Sequence, residues 1–320
     1  MNGTSDDASP DEPAEPAQRG ERGAPAEPAV GVDVGGTSVK GVLLASDGSI
    51  LAVHRLPTPS PDPTGAGVVD TVAEVRDALT AHAQANRPAN RQLPVGVAVP
   101  GVVDEDNGLA VLSVNLGWRD LPMRDLLVKR LGTDVALSHD VRAGGVAEAR
   151  TGAAKDASGV VAFVPVGTGI AAAVLIDGKP LVAGGWAGEI GQLLITHGEF
   201  AGQRLEEVAS ARATALRAGV ASAREVASAA ARGSAVSQQV WNETVSALAD
   251  ALAGLSVTVA PSVIVIGGGL ALAGRQLIGP LGDELARRLP GLRVPELVPA
   301  AHGDAAAAVG AALLGLELRV

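Results

Sequence analysis

Val30-Gly-Val-Asp33-Val-Gly35-Gly36-Thr37-Ser-Val-Lys40-Gly-Val-Leu-Leu-Ala45 is the stretch on which the reading of this chain turns. Two apolar, β-forming runs flank Gly-Gly-Thr. This predicts a hairpin whose glycine turn lets the backbone come close to something else. Asp33 stands just before the turn, and amides with no side chain over them stand at its tip, a place suited to a metal-bound phosphate. The run has no Gly-Lys-Ser/Thr ending, and no helix opens directly after the glycines, so it is neither of the commoner phosphate loops. Alone it reads as an ordinary tight hairpin; later segments supply the chemistry.

Outward from the hairpin, Ser-Asp-Gly at 47–49 marks a turn and 50–56 a third strand. Val68, Val69, Val72, Val75 and Leu79 recur at helical spacing and predict an amphipathic helix to about residue 86. An apolar strand at 93–99 ends at Pro100-Gly101, and strand ends of this kind are favoured ligand positions in open α/β sheets. Residues 101–120, with Asn115, Gly117 and Trp118, read as a loop. A helix at 122–131 and a strand at 134–138 lead to His139-Asp140, with a helix opening at Val141. Strands at 160–166 and 170–176 are joined by Gly167-Thr168-Gly169, a second glycine turn, and Asp177-Gly178 makes a further hairpin turn. From about 186 the chain reads as mainly helical, with a long helix through Val236 and Leu255 toward Pro261. A buried strand at 263–266 enters Gly267-Gly268-Gly269, and helices near 276–289 and 304–317 bracket a short strand at 293–298. The order is a hairpin-rich sheet with helices, then the same again, so two facing halves would gather the three glycine turns around one cleft. Residues 1–28, rich in Pro, Glu, Asp and Gly, are expected to form a disordered tail.

Bulk properties narrow the classes. A chain of 320 residues exceeds the size at which one core keeps growing, which favours two lobes with a ligand cleft between them. An apolar fraction of 47% excludes disorder of the whole chain. A net charge of −10 without a basic cluster argues against nucleic acid or an anionic membrane as partner. No apolar span of about 20 residues predicts a membrane crossing, and the acidic, Pro-rich start is not a secretory signal. The chain has no cysteine, which excludes disulfides and thiolate metal sites and is compatible with the cytosol.

Asp33-Val-Gly-Gly-Thr-Ser-Val-Lys40, Pro100-Gly-Val-Val-Asp104, Asn115-Leu-Gly-Trp118, Gly167-Thr-Gly169, Gly188-Glu-Ile-Gly191 and Ile266-Gly-Gly-Gly269 follow one another as in the ROK family of repressors, open reading frames and sugar kinases. The resemblance covers nearly all of residues 29–318. It implies an α/β, two-lobed actin-like ATPase fold of the hexokinase/ribonuclease H-like type, with a central nucleotide and sugar cleft. The implied lobes are 29–137 plus 303–320 (small) and 138–302 (large). Repressor members carry an N-terminal helix-turn-helix, for which residues 1–28 supply no periodic apolar positions, so the kinase branch is favoured.

By resemblance, Asp33, Gly35, Gly36, Thr37 and Lys40 match the first phosphate turn around ATP and Mg²⁺. Gly167, Thr168 and Gly169 match the second, and Gly267, Gly268 and Gly269 the adenosine-side turn. Asp140 matches the catalytic base; its plainer role is to cap the helix at Val141. Gly101, Asn115, Glu189, Gln192 and Glu206 match sugar contacts, although Glu207 is an equal candidate for the place of Glu206. The expected reaction is ATP-dependent phosphorylation of the primary hydroxyl of a hexose, glucose first, with an N-acylhexosamine or a cyclitol next. A polyphosphate-using kinase and a non-catalytic sugar sensor are the alternatives. A homodimer or higher homo-oligomer in the cytoplasm is implied by the family alone.

Two runs depart from the family. The zinc module, normally a His followed by Cys-x-Cys-Gly-x-x-Gly-Cys-x-Glu, is replaced by a segment with Gln192, His197, Glu199 and Arg204 at the ligand places. Arginine cannot bind zinc, and one His with one Glu is too few for a closed site, so no structural zinc is expected. His139-Asp140-Val-Arg142 stands where Asn-Asp-Ala-Asn is usual.

Overall fold

The computed structural model describes residues 27–86 and 92–318. The tail expected at 1–28 therefore lies almost wholly outside the described residues. The first half opens with β1 (Ala29–Val34), β2 (Ser38–Leu44) and β3 (Ile50–Pro57) and continues through α1 (Ala66–Asn86) to β4 (Val95–Val99). A short meander of β5 (Val102–Asp104), β6 (Leu109–Ser113) and β7 (Trp118–Leu121) follows, then α2 (Met123–Leu131) and β8 (Val135–His139). α3 (Asp140–Arg150) leads into the second half. There, β9 (Val160–Pro165), β10 (Ala173–Ile176) and β11 (Lys179–Pro180) are followed by four helices: α4 (Leu205–Ala209), α5 (Ala211–Arg217), α6 (Ala223–Ala231) and α7 (Ala235–Val259). β12 (Val263–Gly267), α8 (Gly268–Ala271), α9 (Arg275–Arg288), β13 (Glu296–Pro299) and α10 (Ala306–Glu317) complete the chain.

The two large sheets share one plan. Their orders are β3-β2-β1-β4-β8 and β11-β10-β9-β12-β13. In each, an antiparallel three-stranded unit comes first in the chain, and two later strands add in parallel to its first strand. The central strands are apolar on both faces and buried, because helices cover both sides. α1 and α2 bury Val68, Val72, Leu79 and Leu127 against one face of the first sheet. α7 and α9 bury Leu248, Leu252, Leu277 and Leu281 against the second.

The inner faces meet through two small-residue helices. α10, reading Ala-Ala-Ala-Val-Gly-Ala-Ala, lies on the first sheet; α3 packs against Phe163, Ala173 and Leu175 of the second. The two helices touch so closely that a Cβ on Gly310 would stand 1.7 Å from the carbonyl oxygen of Ala143. Only a glycine fits that crossing, and the order sheet–α10–α3–sheet follows from it.

The hairpin at 30–45, the helices predicted near 68–86, 122–131 and 304–317, and the strand running into Gly267 are all present. Two segments differ. Residues 101–120, expected as a loop, fold into the β5-β6-β7 meander, held by fully buried Trp118, whose indole N–H donates to the Asp62 carbonyl at 2.8 Å. Residues 186–204 contain no α-helix and only one short 3-10 turn, Ile190–Gln192. Gly188, Gly198 and Gly202 adopt positive φ, and a short hairpin pairs Leu194 with Arg204. No helix among the described residues is long and apolar enough to cross a membrane.

Candidate active site

Strand register sets the site. Asp33 on β1 is level with Ala98 on β4, which is level with Ser138 on β8. The carboxyl ends of these parallel strands therefore lie side by side, with Asp33 and Ser138 about 10 Å apart across two strand spacings. Gly35-Gly36-Thr37, Pro100-Gly101 and His139-Asp140 all leave the sheet at this edge. In the second sheet, Gly267 is level with Pro165, so the turns at 167–169 and 267–269 are neighbours.

Each turn has its own cause. Gly35 N–H donates to Ser38 O at 3.0 Å, and Thr58 Oγ1 donates to Gly35 O at 2.7 Å, while the amides of Gly36 and Thr37 donate to nothing among the described residues. Gly167 N–H closes its turn onto Gly169 O at 3.0 Å and leaves the Thr168 and Gly169 amides unpaired among the described residues. Gly268 is required: its φ is 74°, and a Cβ there would stand 2.5 Å from Val166 O. Unpaired amides of this kind are fixed positive dipoles suited to an anion.

Asp140 begins α3. Its Oδ1 accepts from the Val141 amide at 2.7 Å and from His139 Nε2 at 2.9 Å. Asp140 is itself the first residue of α3, which His139 precedes without a side-chain cap, so the expected capping role of Asp140 is not seen; 34% of its side chain is exposed. Burial alone would raise its pKa. The His139 ring, the Val141 amide and the Arg142 guanidinium outweigh that and hold the carboxyl below the usual carboxylate range. Asp33 behaves in the opposite way. Burial, followed by the charge of Asp140, pushes its pKa up to about 7, against the lowering effect of Lys40. The charge of Asp140 reaches Asp33, but among the described residues no group of three or more His, Cys, Asp or Glu is gathered to hold a metal ion on protein ligands alone.

Lys40, opposite Asp33 in the β1–β2 register, is 7% exposed and pairs with Asp304 Oδ2 at 2.7 Å; Arg55 joins the same carboxylate at 3.0 Å. Its ammonium thus ties the first turn to the start of α10. Asp304 had no mark in the sequence, because its partners lie far away in the chain.

The other side of the cleft comes from 183–206. Ala172 N–H donates to Gly188 O at 2.8 Å and Gly191 N–H to Ile170 O at 3.1 Å, so this segment lies along the chain that follows the second turn. Glu189 is raised in pKa, first by burial; the charges of His139, Glu206, Arg142 and Asp140 all reach it. Glu206 accepts from Gln192 Nε2 at 2.7 Å, and its other oxygen faces Gly169 and Gly191. Glu207 instead accepts from the Arg204 amide at 2.8 Å and caps α4. The geometry separates the two: Glu206 faces the cleft, and Glu207 serves its helix. Gly101 is exposed at the end of β4, with φ 102°; Asn115 is exposed, and its carbonyl accepts from Ser60 Oγ at 3.1 Å.

At the other places of the missing zinc module, His197 is exposed beside Thr196, Glu199 is exposed, and Arg204 precedes α4. Phe200 lies under the Arg217 guanidinium, 4.5 Å from ring centroid to Cζ. The chain has no cysteine to complete the usual motif.

Sequence reasoning passed over Glu105. One of its oxygens accepts from Ser138 Oγ at 2.7 Å, the His139 amide at 2.7 Å and Arg142 Nε at 2.9 Å. Its sequence neighbourhood, Asp-Glu-Asp-Asn, looks like a solvated turn, and nothing local marks it.

Comparison with known proteins agrees with this architecture. The ROK family profile matches residues 29–317. A curated glucokinase from Halalkalibacterium halodurans is 31% identical over 279 residues, 79% of this chain and 83% of the relative. The crystal structure of a ROK hexokinase from Thermus thermophilus superposes with a TM-score of 0.77 at 27% identity, covering 91% of this chain and 99% of that one. An inorganic polyphosphate/ATP-glucomannokinase from Arthrobacter sp. strain KM superposes with a TM-score of 0.66 at 29% identity, covering 91% and 100%.

Proposed function

From the premise that this chain belongs to the ROK family, with its two-lobed actin-like ATPase fold, we propose that it phosphorylates the primary hydroxyl of a hexose at the expense of ATP, with glucose as first substrate. The observation that supports this reading is the strand register, which brings Asp33 before the first glycine turn and His139-Asp140 to the same carboxyl edge of the first sheet. The lobes are taken as 29–137 with 303–320, and 138–302, with the cleft between them.

Phosphoryl transfer asks little covalent chemistry of a protein; positioning and charge stabilisation do most of the work. The unpaired amides of Gly36, Thr37, Thr168 and Gly169 would hold phosphate oxygens, with Gly267–Gly269 on the adenosine side. Asp33 would hold the magnesium ion that accompanies ATP, and that ion supplies positive charge beside the phosphates. Lys40, neutralised by Asp304, acts on this reading through the placement of the turn. Gly101, Asn115, Glu189, Gln192 and Glu206 surround the sugar, whose hydroxyls each need a donor and an acceptor.

Asp140 draws the proton from the attacking hydroxyl. Its Oδ1 is occupied by His139 and Val141, which leaves Oδ2 for the substrate. Its lowered pKa keeps it ionised at neutral pH and ready to accept. Lobe closure excludes water and prevents hydrolysis of the donor. A homo-oligomeric state and a cytosolic place of action belong to the same proposal.

The test is an assay of purified protein with ATP and Mg²⁺ against glucose, mannose, N-acetylglucosamine, N-acetylmannosamine and a cyclitol, with polyphosphate as a second donor. ADP formation that depends on glucose supports the proposal. Turnover with polyphosphate alone overturns the donor assignment. Sugar binding without turnover on any substrate makes the chain a sensor.

A further inference from the structure

Arg142 is 1% exposed, and its guanidinium reaches three separate parts of the chain. Nε pairs with Glu105 Oε1 at 2.9 Å, Nη2 donates to Val103 O at 2.7 Å, and Nη1 reaches Gly185 O at 3.5 Å. Val103 and Glu105 belong to the meander that carries Gly101 and Asn115. Gly185 belongs to the segment that carries Glu189 and Gln192. Arg142 itself lies two residues from Asp140 on α3. The same Glu105 oxygen also takes Ser138 Oγ and the His139 amide, both immediately before the base. Arg124 donates to the carbonyls of Glu105 and Asp106 and fixes the loop behind the carboxylate.

We propose that the Glu105–Arg142 pair is a positioning device, which sets the strand–helix junction bearing Asp140 against both backbone walls of the sugar side of the cleft. The inference rests on the kinase reading above and names residues that reading does not use. A buried ion pair seldom improves stability over apolar residues of the same volume, whereas losing one partner leaves a buried charge. Its use here fits a geometric role: a planar fork can bind a carboxylate and two carbonyls in fixed directions. The meander and the 183–192 segment also touch directly, with Gly185 lying against the Val103 backbone, and the Arg142 guanidinium ties both sides of that contact to the helix that carries Asp140. The attacking hydroxyl is held by those two walls and deprotonated by the residue between them. A displacement of about 1 Å at such a site costs on the order of 10²-fold in rate.

The test uses the full chain, with the wild type, Glu105→Gln, Arg142→Lys and the double variant. Glucose and ATP kinetics are paired with direct ATP binding. Glu105→Gln is expected to lower kcat by about 10- to 100-fold, and Arg142→Lys to raise the sugar KM by about tenfold, with ATP affinity within about twofold in both. The double variant should be no worse than the more impaired single one, because the two act as one unit. Should Glu105→Gln fail to bind ATP through misfolding, Arg142→Lys, which keeps the charge pair, carries the test. Single variants with kcat and sugar KM within twofold of wild type overturn the proposal, as does loss of ATP binding in both, which would mark the pair as holding the fold alone. A wild type that turns over no sugar refutes the kinase reading instead, so the two failures are distinct.

Discussion

Replacing Asp33 by Asn should stabilise the ligand-free protein at pH 8 and leave it nearly unchanged at pH 4. The Asp33 carboxyl has a pKa of about 7 in the fold against an ordinary value of 3.8, because its loss of solvent and the charge of Asp140 disfavour ionisation. Between those values the folded chain holds a proton that the unfolded chain has released. Stability from this group is therefore full below about pH 4 and is lost as pH rises through about 7. The shift of roughly 3 units corresponds to at most about 4 kcal/mol at 1.36 kcal/mol per unit. Relaxation of a partly exposed side chain reduces this to about 2–4 kcal/mol, or a melting temperature higher by roughly 5 °C for a chain of this size. Thermal unfolding of wild type and Asp33→Asn in the absence of nucleotide, from pH 4 to pH 8.5, reads it directly. The same burial implies that Mg·ATP binding releases a proton near pH 7, visible by calorimetry in buffers of different ionisation enthalpy. A variant less stable than wild type at pH 8, or a difference independent of pH, would refute the reasoning.

Gly268→Ala places a Cβ 2.5 Å from Val166 O at a positive φ, so it should destabilise by about 2 kcal/mol or more and weaken ATP binding well before sugar binding; nucleotide titration and melting check both. Glu148, 0% exposed, accepts from the amides of Ala153, Ala301 and His302 and so joins α3 to the crossover before α10. Glu148→Ala should cost about 1–3 kcal/mol by leaving three part-buried amides without their acceptor, read as a lower urea midpoint. Glu206→Gln should raise the sugar KM several-fold, whereas Glu207→Gln should leave KM unchanged and cost about 0.5–1 kcal/mol as a lost cap.

Much of the fold was legible because it is local. The Asp33–Lys40 hairpin, the helical spacing of Val68 to Leu79 and the apolar strand into Gly267 each carry their own periodicity or turn chemistry. That a hairpin-rich sheet with helices occurs twice was also legible, whereas the strand order within each sheet came only from the folded chain. The candidate site was legible to the extent that its glycine turns and Asp140 do lie at strand ends. The meander at 102–121 was missed because its strands are short and its register is fixed by Trp118 reaching Asp62, a contact between distant residues. The absence of α-helix from 186–204 was missed because its glycines act as turns and as close backbone contacts beside the second glycine turn. Asp304, Glu105 and Glu148 had no sequence mark, because each is defined by partners that only the folded chain supplies. The distinction between Glu206 and Glu207 likewise needed the direction of each side chain at the start of α4.

The measurement that bears most directly on the account is the paired kinetics and binding of Asp140→Asn. Asparagine keeps an oxygen for the Val141 amide, so the start of α3 should survive, while the group that takes the proton is gone. The account predicts glucose and ATP affinities within about threefold of wild type and a kcat lower by about 10²- to 10⁴-fold. A variant that turns over glucose at the wild-type rate would contradict it, and the proton would have to leave by another route.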